Sequence, residues 1–203
     1  RLFQVHVDSD EFVSQGGVTP LPLALEDPLL KGAVNPADGL LYLTGFNVWG
    51  SKAKTKTFLG RVRPNPHRVL PVPTDLRVGK RGILLRFAQA LESKAALQNS
   101  SYLIRRWNYK RTPKYGSANY KLDGSPGTEV LSISSVKLSK DKRTVFVGVP
   151  DMRPAMQVEV AYELKTAEGS PLKNKSFLTA HLLRQLSLKK EGFADDQVDL
   201  NLA

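Results

Sequence analysis

Hydrophobic and polar positions along this chain alternate with a period of two far more often than with the helical period of 3.6. That is the pattern of strands with one face turned inward. Arg1 to Val7 (RLFQVHV) alternates as a strand, and Gly16–Gly17 then reads as a break. Pro20, Pro22 and Pro28 make Val18 to Leu30 an irregular, extended segment, because proline fixes φ and lacks an N–H. Asn35 to Gly39 (NPADG) is a turn: Asn-Pro opens it and Gly39 is free to take positive φ. The apolar run Leu40 to Thr44 predicts a buried strand, and Phe58 to Arg63 its hairpin partner across the polar loop SKAKTKT. One hairpin cannot bury a face by itself, so this region must dock on something.

Pro64, Pro66, Pro71 and Pro73 form a stiff linker. Beyond them the alternation is regular. Leu76–Val78, Gly82–Phe87, Ser101–Tyr109, Glu129–Leu138, Thr144–Val149, Gln157–Leu164 and Ser176–His181 read as strands, separated by turn signals such as Asp123-Gly124 and Glu168-Gly169. Ala88 to Leu97 has the one helical pattern. About seven short strands in about 110 residues predict an immunoglobulin-like β-sandwich. The turn–strand–loop–strand unit before it is similar to part of a propeller blade. The expected architecture is all-β: a propeller-blade-like hairpin segment over 1–68, the sandwich over 69–185, and a tail over 186–203 that is either disordered or an arm for a partner.

Charge adds a direction to this picture. The net charge of +11 is placed unevenly: residues 1–69 carry 8 basic and 6 acidic side chains, residues 70–185 carry 20 and 9, and residues 186–203 carry 2 and 4. The middle segment therefore favours acidic partners. The absence of cysteine excludes disulfides, thiolate metal sites, iron–sulfur clusters and CxxCH haem attachment in this chain. No apolar run reaches the 18 residues of a membrane span. The start at Arg1 reads as a processed chain or a fragment of a longer one.

The densest chemistry lies in Ser101 to Lys121 (SYLIRRWNYKRTPKYGSANYK), which holds six basic residues, no acid, and Tyr102, Trp107, Tyr109, Tyr115 and Tyr120. Two readings compete. Rings alternating with cations suit nucleic acid, sugar or an anionic surface; a strand with a core Trp and a following loop explains the same residues without a ligand. Arg105, Arg106, Lys110, Arg111, Lys114 and Tyr115 are the candidate partner-binding residues, with Trp49 of GFNVWG as a second aromatic platform. His6, His67 and His181 share no ligand spacing and read as structural or solvated. Asp8, Asp10 and Glu11 lack the glycine and terminal glutamate of a calcium loop. No phosphate loop and no GxSxG elbow is present. The chain thus predicts no catalytic residue, metal or cofactor of its own, and none of the standard nucleic-acid-binding motifs.

Three stretches, in order, resemble one family. NPADGLLYLTGFNVWG is similar to an NP-x-DG-x-LYV-x-G-x-x-GW segment, LIRRWNYKRTPKYGSANY to a WNY…YGS…Y signature, and VKLSKDKRTVFVGVPDMRPAMQVEVAYELKTAEGSPL to an LS-x-DG-x-TV…P-x-MQ segment. These belong to large exported proteins of planctomycetes and verrucomicrobia that join a β-propeller, similar to PQQ-dependent sorbosone and glucose dehydrogenases, to a c-type haem domain. A full propeller needs four or more blades, and this chain has room for one or two. The family's cofactor-binding and catalytic residues would lie upstream of Arg1 and its haem motif in another domain, so none carries over. The resemblance implies a periplasmic or secreted, non-catalytic part of a redox-type assembly. It would dock on other subunits, or on the upstream part of the same precursor, through an acidic partner surface. A carbohydrate- or polyanion-binding module is the alternative.

Overall fold

The computed structural model describes residues 1–9, 12–23, 28–47 and 56–194. In chain order the strands are β1 (Phe3–Ser9), β2 (Ser14–Pro20), β3 (Leu29–Val34), β4 (Leu41–Phe46), β5 (Thr57–Val62), β6 (Asp75–Gly79) and β7 (Gly82–Arg86). They continue with β8 (Tyr102–Trp107), β9 (Glu129–Leu131), β10 (Ser135–Leu138), β11 (Thr144–Gly148), β12 (Ala155–Lys165) and β13 (Pro171–Ala180). The protein is all-β, and it divides into two compact units: residues 1–3 with 20–70, and residues 4–19 with 71 onward.

The first unit is a three-stranded antiparallel sheet in the order β3-β4-β5. The expected hairpin is there, with Leu41 opposite Val62 and Thr44 opposite Leu59. The NPADG turn closes as its chemistry requires. Asn35 Oδ1 accepts from the Ala37 N–H, the Gly39 N–H donates to the Asn35 carbonyl at 2.8 Å, and Gly39 sits at φ +67°. Strand β3 differs from the expectation of an irregular lead-in. Its residues are almost all exposed, so no buried face writes an alternation into LLKGAV. Leu43 is the only large side chain of this unit that is buried among the described residues.

The second unit stacks two sheets as a sandwich. The larger runs β1-β2-β13-β12-β8-β9 and the smaller β10-β11-β7-β6. Period two decides what lies between them. Leu76, Val78, Ile83, Leu85, Val145 and Val147 of the smaller sheet share one parity, as do Ile104, Val158, Val160, Leu172 and Leu178 of the larger, and all are essentially buried. Each such side chain contributes about 1.5–3 kcal/mol when fully buried. Leu84 and Phe146 have the opposite parity and face away from that interior. Leu188 and Phe193 cover them, with Leu186 alongside. The chain from 186 to 194 is therefore a packed layer of the unit, fixed by Lys80 N–H to Arg184 O, Lys140 N–H to Gly192 O and an Arg77–Glu191 ion pair at 2.7 Å. The expected tail over 186–203 is thus corrected for residues 186–194, and residues 195–203 lie outside the described residues.

Three further expectations are corrected. Glu129–Leu138 is not one strand: β9 pairs with β8 in one sheet and β10 with β11 in the other, so Ser132 to Ser134 turn a corner between layers. The helix expected over Ala88–Leu97 is a single turn, α1 (Ser93–Ala96), capped by Glu92 Oε2 on the Ala95 N–H. The residues before it spend their backbone groups elsewhere, with Leu91 N–H on Lys142 O and Glu92 N–H on Lys165 O. Finally, residues 1–68 are not one segment, because residues 4–19 belong to the sandwich and β2 pairs with β13. Gly16–Gly17 lies inside β2 rather than ending a strand. A Cβ on Gly16 would stand 2.1 Å from the His6 carbonyl oxygen, and one on Gly17 2.5 Å from that of Phe177. The glycines are there for close backbone approach.

Candidate functional site

Strand β8 carries the start of the basic stretch, and its alternation sorts the candidate residues. Tyr102, Ile104 and Arg106 point into the sandwich; Leu103, Arg105 and Trp107 have the other parity. Arg106 is 1% exposed. Its Nε donates to Glu129 Oε2 at 2.9 Å, one terminal nitrogen to Asp151 Oδ2 at 2.6 Å, and the other to the Asp151 carbonyl. Burial works against the guanidinium's charge, but the hydrogen bonds and charges of both carboxylates outweigh it and hold its pKa above the ordinary arginine value. The Arg106 hydrogen bond in turn holds Glu129 below the usual carboxylate range, and Arg106 with Arg153 does the same for Asp151. Arg106 is thus a clamp that ties β8 to β9 and to the turn before β12. No partner reaches it.

Arg105 is half-exposed and sits 3.5 Å from Glu159, which also has Lys175 at 3.7 Å. Lys110 donates to the Gly124 carbonyl at 2.9 Å and lies 4.0 Å from the centre of the Tyr120 ring. With Asn108 and Tyr120 exchanging backbone hydrogen bonds at 2.7 and 3.0 Å, it pins the base of the loop between β8 and β9. Beyond that base, Arg111, Lys114 and Tyr115 are exposed, and Tyr115 is completely so at 108%. Neither Arg111 nor Lys114 pairs with a carboxylate among the described residues. The five cations expected to share one face therefore divide: Arg106 is buried, Arg105 and Lys110 are engaged, and Arg111 and Lys114 are exposed without an ion-pair partner among the described residues. Trp49 lies outside the described residues.

Trp107 is 7% exposed, so it is a packed residue and not a stacking platform. It is buried on the parity of Leu103 and Arg105 rather than between the sheets, and its indole N–H has no hydrogen-bond partner among the described residues. His6 is also packed. Its Nε2 lies 3.2 Å from Thr19 Oγ1, which lies 2.7 Å from Ser176 Oγ. Burial lowers the His6 pKa, against an opposing pull from Asp75. Thr19 and Ser176 are fully buried, so this chain of hydroxyls satisfies interior polar groups and presents nothing to a substrate. Among the described residues no three His, Asp or Glu side chains gather as metal ligands, and no helix is long and apolar enough to cross a membrane.

Sequence reasoning missed the clamp partners Glu129 and Asp151, although the shared parity of Ile104 and Arg106 was the signal that Arg106 points inward. It also missed a cleft in the first unit, bounded by the turn at Asn35–Gly39 and the one at Asn65–Arg68. Neither a family model, nor a curated protein, nor a solved structure matches this chain.

Proposed function

We propose that this chain is a non-catalytic interaction module of an exported redox-type assembly, which docks on an acidic protein surface through the loop between β8 and β9. The observation that carries the reading is Tyr115. It stands fully exposed on the same loop as Arg111 and Lys114, exposed cations without a carboxylate partner among the described residues, and the base of that loop is pinned. A free-standing fold has no use for an aromatic ring held entirely in water, whereas Tyr and Arg are enriched where proteins meet. Arginine also offers a fork that fits a carboxylate.

The wider setting rests on the resemblance and on topology. The order β10-β11-β7-β6 over β13-β12-β8-β9 supports an immunoglobulin-like sandwich, whose sheets are ordered D-E-B-A and G-F-C. The β3-β4-β5 sheet with its NPADG turn supports a blade-like hairpin segment. Both agree with a module placed after a propeller in a periplasmic or secreted protein, the dehydrogenase and haem chemistry lying in other parts of the assembly.

The test is charge reversal of Arg111 and Lys114 to Glu, together with Tyr115→Ala, followed by native purification at low and moderate salt. Wild type should retain stoichiometric partner chains and lose them as salt rises, because exposed charges are screened beyond about 10 Å at 0.1 M. The triple variant should retain none. Equal retention by wild type and variant would sink the reading, and variant-sensitive retention on a sulfated glycan array alone would replace it with a polyanion-binding module.

A further inference from the structure

The first unit holds a cleft of about 490 Å³ whose walls come from three segments of that unit alone. Its apolar lining is Leu40, Leu41 and Val62, from β4, β5 and their approach, together with Leu21, Leu23 and Leu70. Arg63 and Arg68 also line it, and no carboxylate among the described residues does. A mostly apolar concavity between about 300 and 1,000 Å³ with a few polar groups is the usual form of a small-molecule site.

The walls are fixed before anything binds. On one side the Asp38 carboxylate holds the Leu40 N–H at 3.0 Å and Asn35 closes its turn. On the other, Asn65 Oδ1 accepts from the His67 N–H at 3.0 Å, and the Arg68 N–H donates to the Asn65 carbonyl at 3.1 Å, which returns the chain toward the cleft. The Leu21 N–H is held by the Leu2 carbonyl, and Leu23 by Leu21. Asp38 is the nearest acid in sequence, and it is taken up by the Tyr42 hydroxyl at 2.8 Å, with Arg61 at 3.7 Å. Arg63 and Arg68 are exposed, and neither forms an ion pair with a described carboxylate. An apolar wall and two guanidiniums unopposed among the described residues are complementary to one kind of occupant.

We propose that this cleft binds a small amphiphilic anion: a carboxylate whose head pairs with Arg63 and Arg68 and whose aliphatic body lies on the leucines. This does not rest on the docking role of the β8–β9 loop, which belongs to the other unit, and the two tests fail separately. The probe is decanoate, titrated calorimetrically below its micellar concentration into the whole 203-residue chain. Saturable one-to-one binding is expected, with methyl NMR shifts at Leu40, Leu41, Val62 and Leu70. The Arg63→Ala/Arg68→Ala variant, which alters only exposed side chains, should bind about tenfold more weakly. Leu70→Glu, which sets a carboxylate at the half-exposed mouth, should abolish binding while the thermal transition of the sandwich is unchanged. Decyltrimethylammonium should not bind. The proposal is overturned if the double arginine variant binds decanoate like wild type, if the cationic amphiphile binds as tightly, if the shifts map to the sandwich, or if the chain sediments with anionic phospholipid vesicles while ignoring decanoate.

Discussion

The two units use the same kind of strand and reach different degrees of completion. In the sandwich, β7 and β11 are buried on both faces, because the larger sheet covers one and the segment carrying Leu188 and Phe193 covers the other. In the three-stranded sheet, Leu30, Val34 and Leu59 are 64%, 62% and 74% exposed, and Leu43 is the one large side chain deeply buried among the described residues. Strand pairing by hydrogen bonds is satisfied in both. What separates them is the second layer, since a sheet gains its stability from the face it removes from water.

The widest break in that comparison comes from cutting the units apart. A peptide of residues 20–70 should show no cooperative thermal transition and no dispersed amide spectrum, because three strands with one buried leucine do not outweigh the entropy of ordering them. Dispersed signals would mean that three strands suffice. Next come single truncations. Phe193→Ala should cost about 3–5 kcal/mol in urea unfolding, since it strips cover from Leu84 and Phe146. Leu59→Ala should fall within about 0.5 kcal/mol, as the side chain is already in water. Similar costs at the two positions would erase the distinction between the two units.

A finer distinction concerns how each unit handles charge. In the first, Arg61, Tyr42 and Asp38 form an exposed cluster; in the second, Arg106 is sealed in. Replacing Arg106 by Met keeps its length and leaves Glu129 and Asp151 able to reach solvent, so a loss of about 1–3 kcal/mol is expected. The pH dependence tells more. Both carboxylates have folded pKa values below their unfolded ones, so their contribution is complete above pH ~4 and is lost as pH falls through the lower folded values. His6 also has a lowered folded pKa, so protonation of the unfolded chain takes its share away as pH drops below 6.5. Wild type should weaken in both windows. The Arg106→Met variant should keep the loss below 6.5 and show a much smaller one below pH ~4 in urea midpoints measured from pH 2 to 8. An unchanged acid limb would show that Arg106 does not set the carboxylates.

Much of the second unit was legible in sequence because its strands have an inside. LeuArgVal in β6, ThrValPheValGly in β11 and the long β12 carry the mark of burial, and Asp123-Gly124 and Glu168-Gly169 punctuate them. Strand β3 was not legible, since no face of it is buried and propensity alone is a weak signal. Gly16–Gly17 misled because glycine serves both turns and close contacts, and only the carbonyls of His6 and Phe177 decide which. The basic stretch looked like a face because charge was counted along the chain; parity, which sends Arg106 inward, is the property that assigns faces. Of the five cations, Arg111 and Lys114 are the two that the structure leaves exposed and without a carboxylate partner among the described residues, while the cleft with Arg63 and Arg68 depends on turns that fold back from distant positions and left no local pattern.

Strand β2 has a consequence for the order in which the molecule assembles. Thr19 meets Ser176 across 157 positions, and Gln15 holds the Leu182 carbonyl across 167. Closing so long a loop is entropically costly and rewarded only late, which places this pairing among the slow steps of a high-contact-order fold. During synthesis β2 emerges long before β13 exists to receive it. A waiting strand of valines would recruit neighbouring chains, but SQGGVTP is polar, glycine-rich and ended by proline, a poor template for intermolecular pairing. The residues that let β2 lie close to its neighbours when folded are the same ones that keep it harmless while it waits.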